Sequence, residues 1–187
     1  MVQCGHKGIR PSLIWLKVMY RVELFFINGA LVQQKGDVVM STPLHLANNF
    51  IQKALQEDIS LSPMKLQKLI YFTYRDYLQG TGDKLFIDPF CVWKYGPVVE
   101  VVYSHFKPFG ANSINRFYRD SNDSVHIIDE SVINFGATLN AVWNNYRHLS
   151  GIDLSKITHR EGTAWYKAWT THVPFLNNED IKNEHVE

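Results

Sequence analysis

The residues of this 187-residue chain with the most obvious chemical potential are its histidines, cysteines and lysines. His159 and Glu161, with His105 as a further base, would suit general acid–base work of the kind a hydrolase needs. Residues two apart do not share a helix face, however. No serine or cysteine stands where the sequence alone would let one of these histidines activate it. His159 is therefore expected as a structural residue in the turn before Trp165. Cys4 and Cys91 are far apart and neither lies in a CxxC motif, so both are expected as free thiols in a reducing compartment. Neither they nor His105 show zinc-ligand spacing, and no metal, cofactor or catalytic residue is expected.

The densest recognition chemistry lies in WKYGPVV, Trp93 to Val99. It sets an indole, an ammonium and a phenol side by side and contains no nucleophile. Trp93, Tyr95 and Tyr103 admit two readings. They form an aromatic surface that anchors a partner, since interface hot spots favour Trp, Tyr and Arg. Or they pack two helices together, since each large aromatic buries ~150–250 Å². Lys65, Lys68 and Lys94 could pair with acidic groups of a partner, but the default is a solvated face whose exposed ion pairs are worth only ~0–1 kcal/mol. Gln67 and Lys68, beside an apolar stripe, could instead hydrogen-bond the Trp93–Gly96 turn.

The elements that must position these groups are mostly helical. Thr42 caps a first helix with Pro43 in its first turn, and Leu44, Ala47, Phe50, Ile51, Ala54 and Leu55 form its apolar face. Ser62 caps a second helix beginning at Pro63, with Leu61 and Leu66 as a hydrophobic staple. Its inner stripe is Leu66, Leu69, Ile70, Thr73 and Tyr77, leaving Lys65, Lys68, Arg75 and Asp76 mostly outside. Gly80 and Gly82 stop it. Leu85 to Val92 holds at most a small edge strand, because Asp88-Pro89 interrupts it. A third helix is expected from Pro97, with Val98, Val101, Val102, His105 and Phe106 on one face, ending at Pro108 and Gly110. Ala111 to Asp123 reads as loop, and Val125 to Ile128 as another short strand. A fourth helix is expected from an Asp129 cap, burying Val132, Ile133, Phe135, Leu139, Val142, Trp143 and Tyr146, and closing at Gly151. A short helix over Asp153–His159 and an apolar turn or two over Trp165–Trp169 follow. The polar tail beyond Asn177 is expected to fray. The fold class is mainly α, a single compact helical domain with at most a small β element.

The net charge of +1 supplies no global field for nucleic acid or an anionic membrane. Residues 1–39 differ from the rest: five of the 19 Lys and Arg and two of the 18 acids lie there, leaving a net of −2 from Met40 onward. Three charges interrupt Leu13–Val32, which argues against a membrane span. Glu23 leaves too short an apolar run for a signal peptide. Lys35-Gly36-Asp37 can be encoded by bases that form a ribosome-binding sequence just before the Met40 codon. Residues 1–39 are accordingly expected to be a non-native leader, or a loosely attached N-terminal extension, before a domain over residues 40–187.

From Leu46 to Ile181 the chain resembles the Panacea domain, the SocA-like antitoxin family often labelled phage-associated protein. The resemblance rests on Ala47-Asn48-Asn49-Phe50, PMKLQKLIYF from Pro63 to Phe72, and Gly82 to Phe86. It continues through WKYGPVV, Val102-Tyr103 with Phe106-Lys107, and Thr158-His159-Arg160-Glu161 with Trp165. It implies the antitoxin of a bacterial or prophage toxin–antitoxin module, a cytoplasmic non-enzyme that binds and silences a cognate toxin encoded by a neighbouring gene. In some members the domain delivers the toxin to a protease. Lys65, Gln67, Lys68 and Tyr71 become candidate partner-binding or family-motif residues on this basis. So do Trp93, Lys94, Tyr95, Gly96, Pro97, Tyr103, His159 and Trp165. A hydrolase is the weaker alternative. Direct nucleic-acid binding is not expected, because no recognition-helix motif accompanies the acidic body.

Overall fold

The computed structural model describes residues 24–27, 30–33, 42–132 and 134–185. The chain divides into two units, Met1–Val39 and Met40–Glu187. In the first, β1 (Leu24–Ile27) and β2 (Ala30–Gln33) pair antiparallel, with Leu24 opposite Gln33 and Ile27 opposite Ala30. The leader or extension expected over residues 1–39 otherwise lies outside the described residues. Among the described residues no helix is long and apolar enough to cross a membrane.

The second unit is mainly α, with seven helices among the described residues and one small hairpin. Helix α1 (Pro43–Gln56) starts where Thr42 accepts the His45 N–H. Its apolar face ends one residue early, since Leu55 is 48% exposed. Helix α2 (Pro63–Thr81) starts at the Ser62 cap, with Leu61 and Leu66 both fully buried, and stops at Gly82 in the left-handed conformation. Gly80 lies inside it. The other helices and the hairpin gather around α2, so it is buried on nearly every side. A helix in that position must bury its polar residues too, and this overturns the expected solvated face. Lys65, Lys68 and Arg75 are all buried, with Lys68 at 1% exposure.

The Ala47-Asn48-Asn49-Phe50 motif acquires a structural role. The Asn48 amide donates to the Tyr118 and His126 carbonyls and accepts the Tyr118 N–H. The Asn49 amide exchanges two bonds with the Ile128 backbone. The segment expected as a strand over Val125–Ile128 is therefore irregular, its backbone satisfied by two side chains rather than a neighbouring strand.

Strands β3 (Cys91–Trp93) and β4 (Gly96–Val98) form a hairpin around Lys94-Tyr95, with Trp93 opposite Gly96. The helix expected from Pro97 begins only at Glu100, as α3 (Glu100–Phe106). Pro97 lies in the extended strand opposite Val92 instead, and its carbonyl accepts from the buried Lys68 ammonium. A turn of 3-10 helix over Lys107–Phe109 follows α3. Helix α4 (Phe135–Tyr146) begins after Asn134, not at Asp129, whose carboxylate closes a local turn on the Ser131 N–H. Val132 is exposed as a result, and Ile133 lies outside the described residues. Gly151 opens α5 (Gly151–Thr158) rather than closing α4. A Cβ there would lie 2.9 Å from the Lys65 backbone nitrogen, so glycine permits the close approach to α2.

Helix α6 (Ala164–Thr170) is capped by Thr163. Pro174–Leu176 lies along the outer edge of β3, where the Val92 N–H donates to the Pro174 carbonyl and the Leu176 N–H to the Phe90 carbonyl. The tail does not fray as expected. It forms α7 (Asn178–Lys182), buries Ile181, and seals the Glu184 side chain from solvent.

Candidate functional site

The hairpin is held from beneath by side chains of α2, α5 and α6. Gln67 donates to the Val99 carbonyl at 3.1 Å and accepts the Val99 N–H at 2.9 Å, a reciprocal amide pair. Lys68 Nζ donates to the Pro97 carbonyl at 2.9 Å. Ser155 Oγ donates to the Tyr95 carbonyl at 2.8 Å, and His159 Nε2 lies 3.1 Å from the Lys94 carbonyl. Trp165 Nε1 donates to the Trp93 carbonyl at 3.0 Å. Backbone carbonyls that a two-stranded hairpin would otherwise turn to water are thus paired, and the turn is pinned. Gly96 is required by this closeness. Its φ is +103°, and a Cβ there would meet Thr158 Oγ1 at 2.6 Å and Lys68 Nζ at 2.7 Å.

Burial lowers the Lys68 ammonium to about 7, because a charge surrounded by low-dielectric protein loses its hydration. Burial also lowers Lys65, whose Nζ donates to the Arg147 and Ser60 carbonyls. Lys65 therefore joins α2 to the end of α4 and stands outside the hairpin contacts.

In front of the hairpin lies an open groove of about 580 Å³. Met64, Val98, Val102 and Phe106 give it apolar walls, and Trp93, Tyr95 and Tyr103 form its aromatic side. The Trp93 and Tyr103 rings meet edge to face, with centroids 4.7 Å apart. Trp93 is half-buried, while Tyr95 and Tyr103 are 58% and 40% exposed. The two readings of these aromatics divide accordingly: the Trp93 backbone belongs to the scaffold, and the rings of Tyr95 and Tyr103 belong to the surface. Lys94 and Lys107 are exposed at the rim.

Of the residues singled out from sequence, Gln67, Lys68, Trp93, Lys94, Tyr95 and Tyr103 border this groove. Gly96 and Pro97 lie in the hairpin itself, and His159 and Trp165 hold it from behind. Tyr71 stands apart, buried under the C-terminal segment. Its hydroxyl donates to Glu184, which also accepts Arg75 Nη1 at 3.2 Å and the Ala164 N–H at 2.9 Å. Burial, followed by the nearby Glu184 carboxylate, pushes the Tyr71 phenol well above its ordinary range. At Arg75 burial opposes the charge, but the carboxylates of Asp76 and Glu184 outweigh it and keep the guanidinium protonated. Gln79 completes this second cluster by donating to the Ile181 and Glu184 carbonyls.

The sequence reading missed Ser155, Gln79 and Glu184, and named Thr158 only within a family motif. Single polar residues in a helix or tail carry no local mark of a partner 60 to 113 positions away. Ser155 lies one helical turn before His159, a spacing that was open to inspection. Its Oγ is 3.4 Å from His159 Nδ1, yet it donates to the Tyr95 carbonyl, while Nδ1 faces the Ser155 carbonyl at 2.6 Å. The Trp165 ring closes on the imidazole at 3.8 Å between centroids. Ser155 and His159 are thus bonded to backbone carbonyls rather than set as nucleophile and base, and Glu161 is exposed.

The model of the family described as Antitoxin SocA-like, Panacea domain matches residues 66–166. That span contains the hairpin, its ties on α2 and α5, and Trp165. Antitoxin SocA of Caulobacter vibrioides (strain NA1000 / CB15N) is 33% identical over 126 residues. The alignment covers 64% of this chain and 66% of that relative's length. No solved structure matches the chain significantly. With more than half of its length matched by the family model, and with the matched span enclosing the pinned hairpin and most of the groove lining, the chain belongs to the SocA-like antitoxin, Panacea domain family.

Proposed function

We propose that this protein is the antitoxin of a two-gene module and neutralises a cognate toxin protein by binding it directly, in the cytoplasm and without catalysis. Family membership carries the reading. The geometry supports it in one respect. The hairpin's carbonyls are paired by side chains of Lys68, His159 and Trp165, while aromatic rings are left presented on that pinned frame. Rigid aromatic groups lose little entropy on association and are favoured as interface anchors.

The test is co-expression with the protein encoded beside this gene. That protein alone should arrest growth, this chain should restore it, and the two should co-purify. Arrest without rescue would sink the proposal. Toxin half-life in the rescued cells separates the two modes: an unchanged half-life marks sequestration, and a shortened one marks delivery to a protease.

A further inference from the structure

The groove in front of the hairpin has a specific charge pattern. Its lining contains Lys68, Lys94 and Lys107 and, among the described residues, no carboxylate. Lys94 and Lys107 stand exposed on its rim, and Lys94 Nζ lies 5.5 Å from the centre of the Tyr95 ring. Between them the walls are aliphatic and aromatic, from Met64, Val98, Val102 and Phe106 to Tyr103. The volume, about 580 Å³, lies within the range of pockets that enclose several side chains.

We propose that the groove captures a short peptide segment of a partner protein in which an apolar anchor residue is flanked by Asp or Glu. The proposal rests on the antitoxin reading only for the identity of the natural partner. The anchor enters between Phe106, Val102 and Met64, where burying apolar area drives association. The acidic flank meets Lys94 and Lys107, whose opposite charge speeds encounter and sets register more than it adds affinity. Tyr103, packed on Trp93, closes one side and excludes water from the anchor. Concave aliphatic walls favour a peptide side chain over a nucleic acid, which would need stacked bases and a track of phosphate contacts.

The experiment is selection of short random peptides on the full chain, followed by measured affinities for the selected peptides. The expected winners share a Leu, Met, Phe or Trp next to Asp or Glu. Their Kd should rise about tenfold or more on Tyr103→Ala and on the double change Lys94→Glu with Lys107→Glu. Lys94 and Lys107 are exposed, so the double change should leave the melting temperature where it is, whereas Tyr103→Ala also loses the edge contact with Trp93 and should lower it slightly. A peptide with its acids changed to Lys should bind the double variant better than it binds the wild type. Winners without acids, or affinities indifferent to these variants, would overturn the proposal. So would oligothymidylate binding with the same lysine dependence, which would make the groove a nucleic-acid site. Self-association that the same variants abolish would overturn it as well, by making a second copy the occupant. Growth rescue keeps the two readings separate. Groove variants that still rescue end this proposal and leave the antitoxin reading intact. Acidic peptides that bind a wild type unable to rescue do the reverse.

Discussion

Near the start of α2, Lys68 is buried with a backbone carbonyl as its acceptor; two turns later Arg75 is buried against the Glu184 and Asp76 carboxylates. Neutral dipoles do not offset the lost hydration of Lys68, and burial brings its ammonium down to about 7. Arg75, also buried though less completely, keeps its charge because carboxylates face it. The surroundings differ in the same sense. The Lys68 end holds up a hairpin and borders an open apolar groove, whereas the Arg75 end is tied to the chain's own tail and borders a second, more polar opening between Arg75, Gln79, Tyr146 and Glu184. One helix therefore carries a presented apolar surface at one end and a polar cluster bound to the tail at the other.

The largest test of this contrast is Glu184→Ala. It leaves Arg75 with Asp76 as its only carboxylate partner, strands the Tyr71 hydroxyl and the Ala164 N–H in the interior, and should cost about 3 kcal/mol or more in denaturant unfolding. Peptide affinity at the groove should be unchanged below the melting temperature. A coupled loss of both would show that the two ends of α2 act as one unit. Gly96→Ala attacks the other end. The left-handed φ and the overlap with Thr158 and Lys68 should together cost about 2–4 kcal/mol. Here groove affinity should fall along with stability, because the hairpin itself must shift.

Lys68→Met sharpens the electrostatic side of the comparison. Folded Lys68 titrates near 7 and the unfolded side chain near 10.5, so between these values the unfolded state binds more protons. Stability then rises with pH through that interval and is flat, at its least favourable, below about 7. From pH 7 to about 8.5 Lys68 should contribute a gain of about 1–2 kcal/mol, which Lys68→Met should remove, leaving the same-sense contribution of Lys65, also lowered by burial. The range stops there because the Cys91 thiol and the Tyr71 and Tyr74 phenols are raised in the fold and act in the opposite sense at higher pH. An undiminished slope in the variant would mean that Lys68 is not the group responsible. The smallest effect is expected from Ser155→Ala, which keeps the packing but loses the donor to the Tyr95 carbonyl. A cost of about 1 kcal/mol in thermal unfolding is expected.

The starts of α1 and α2 were legible in the sequence because a cap is local: Thr42-Pro43 and Ser62-Pro63 act within four residues. The start of α3 was misread for the complementary reason. Gly96-Pro97 has the local grammar of a helix entry, but Lys68 and Gln67, 29 and 32 residues earlier, hold that backbone extended as far as Val99. The groove was half visible. WKYGPVV announced its aromatic side, while the lining from Met64 and Phe106 required knowing how α2 and α3 pack. The Glu184 cluster was invisible, since a polar tail with no apolar period gives no sign of burial.

The sequence by itself determined the helical class, the two best-capped helices, the family and the absence of a nucleophile in WKYGPVV, all of which rest on neighbouring residues and their spacing. Only the tertiary structure decided which polar residues are buried, where the hairpin ends and which aromatic rings remain exposed. Burial is a property of what surrounds a side chain, and here the surroundings come from positions up to 113 residues away.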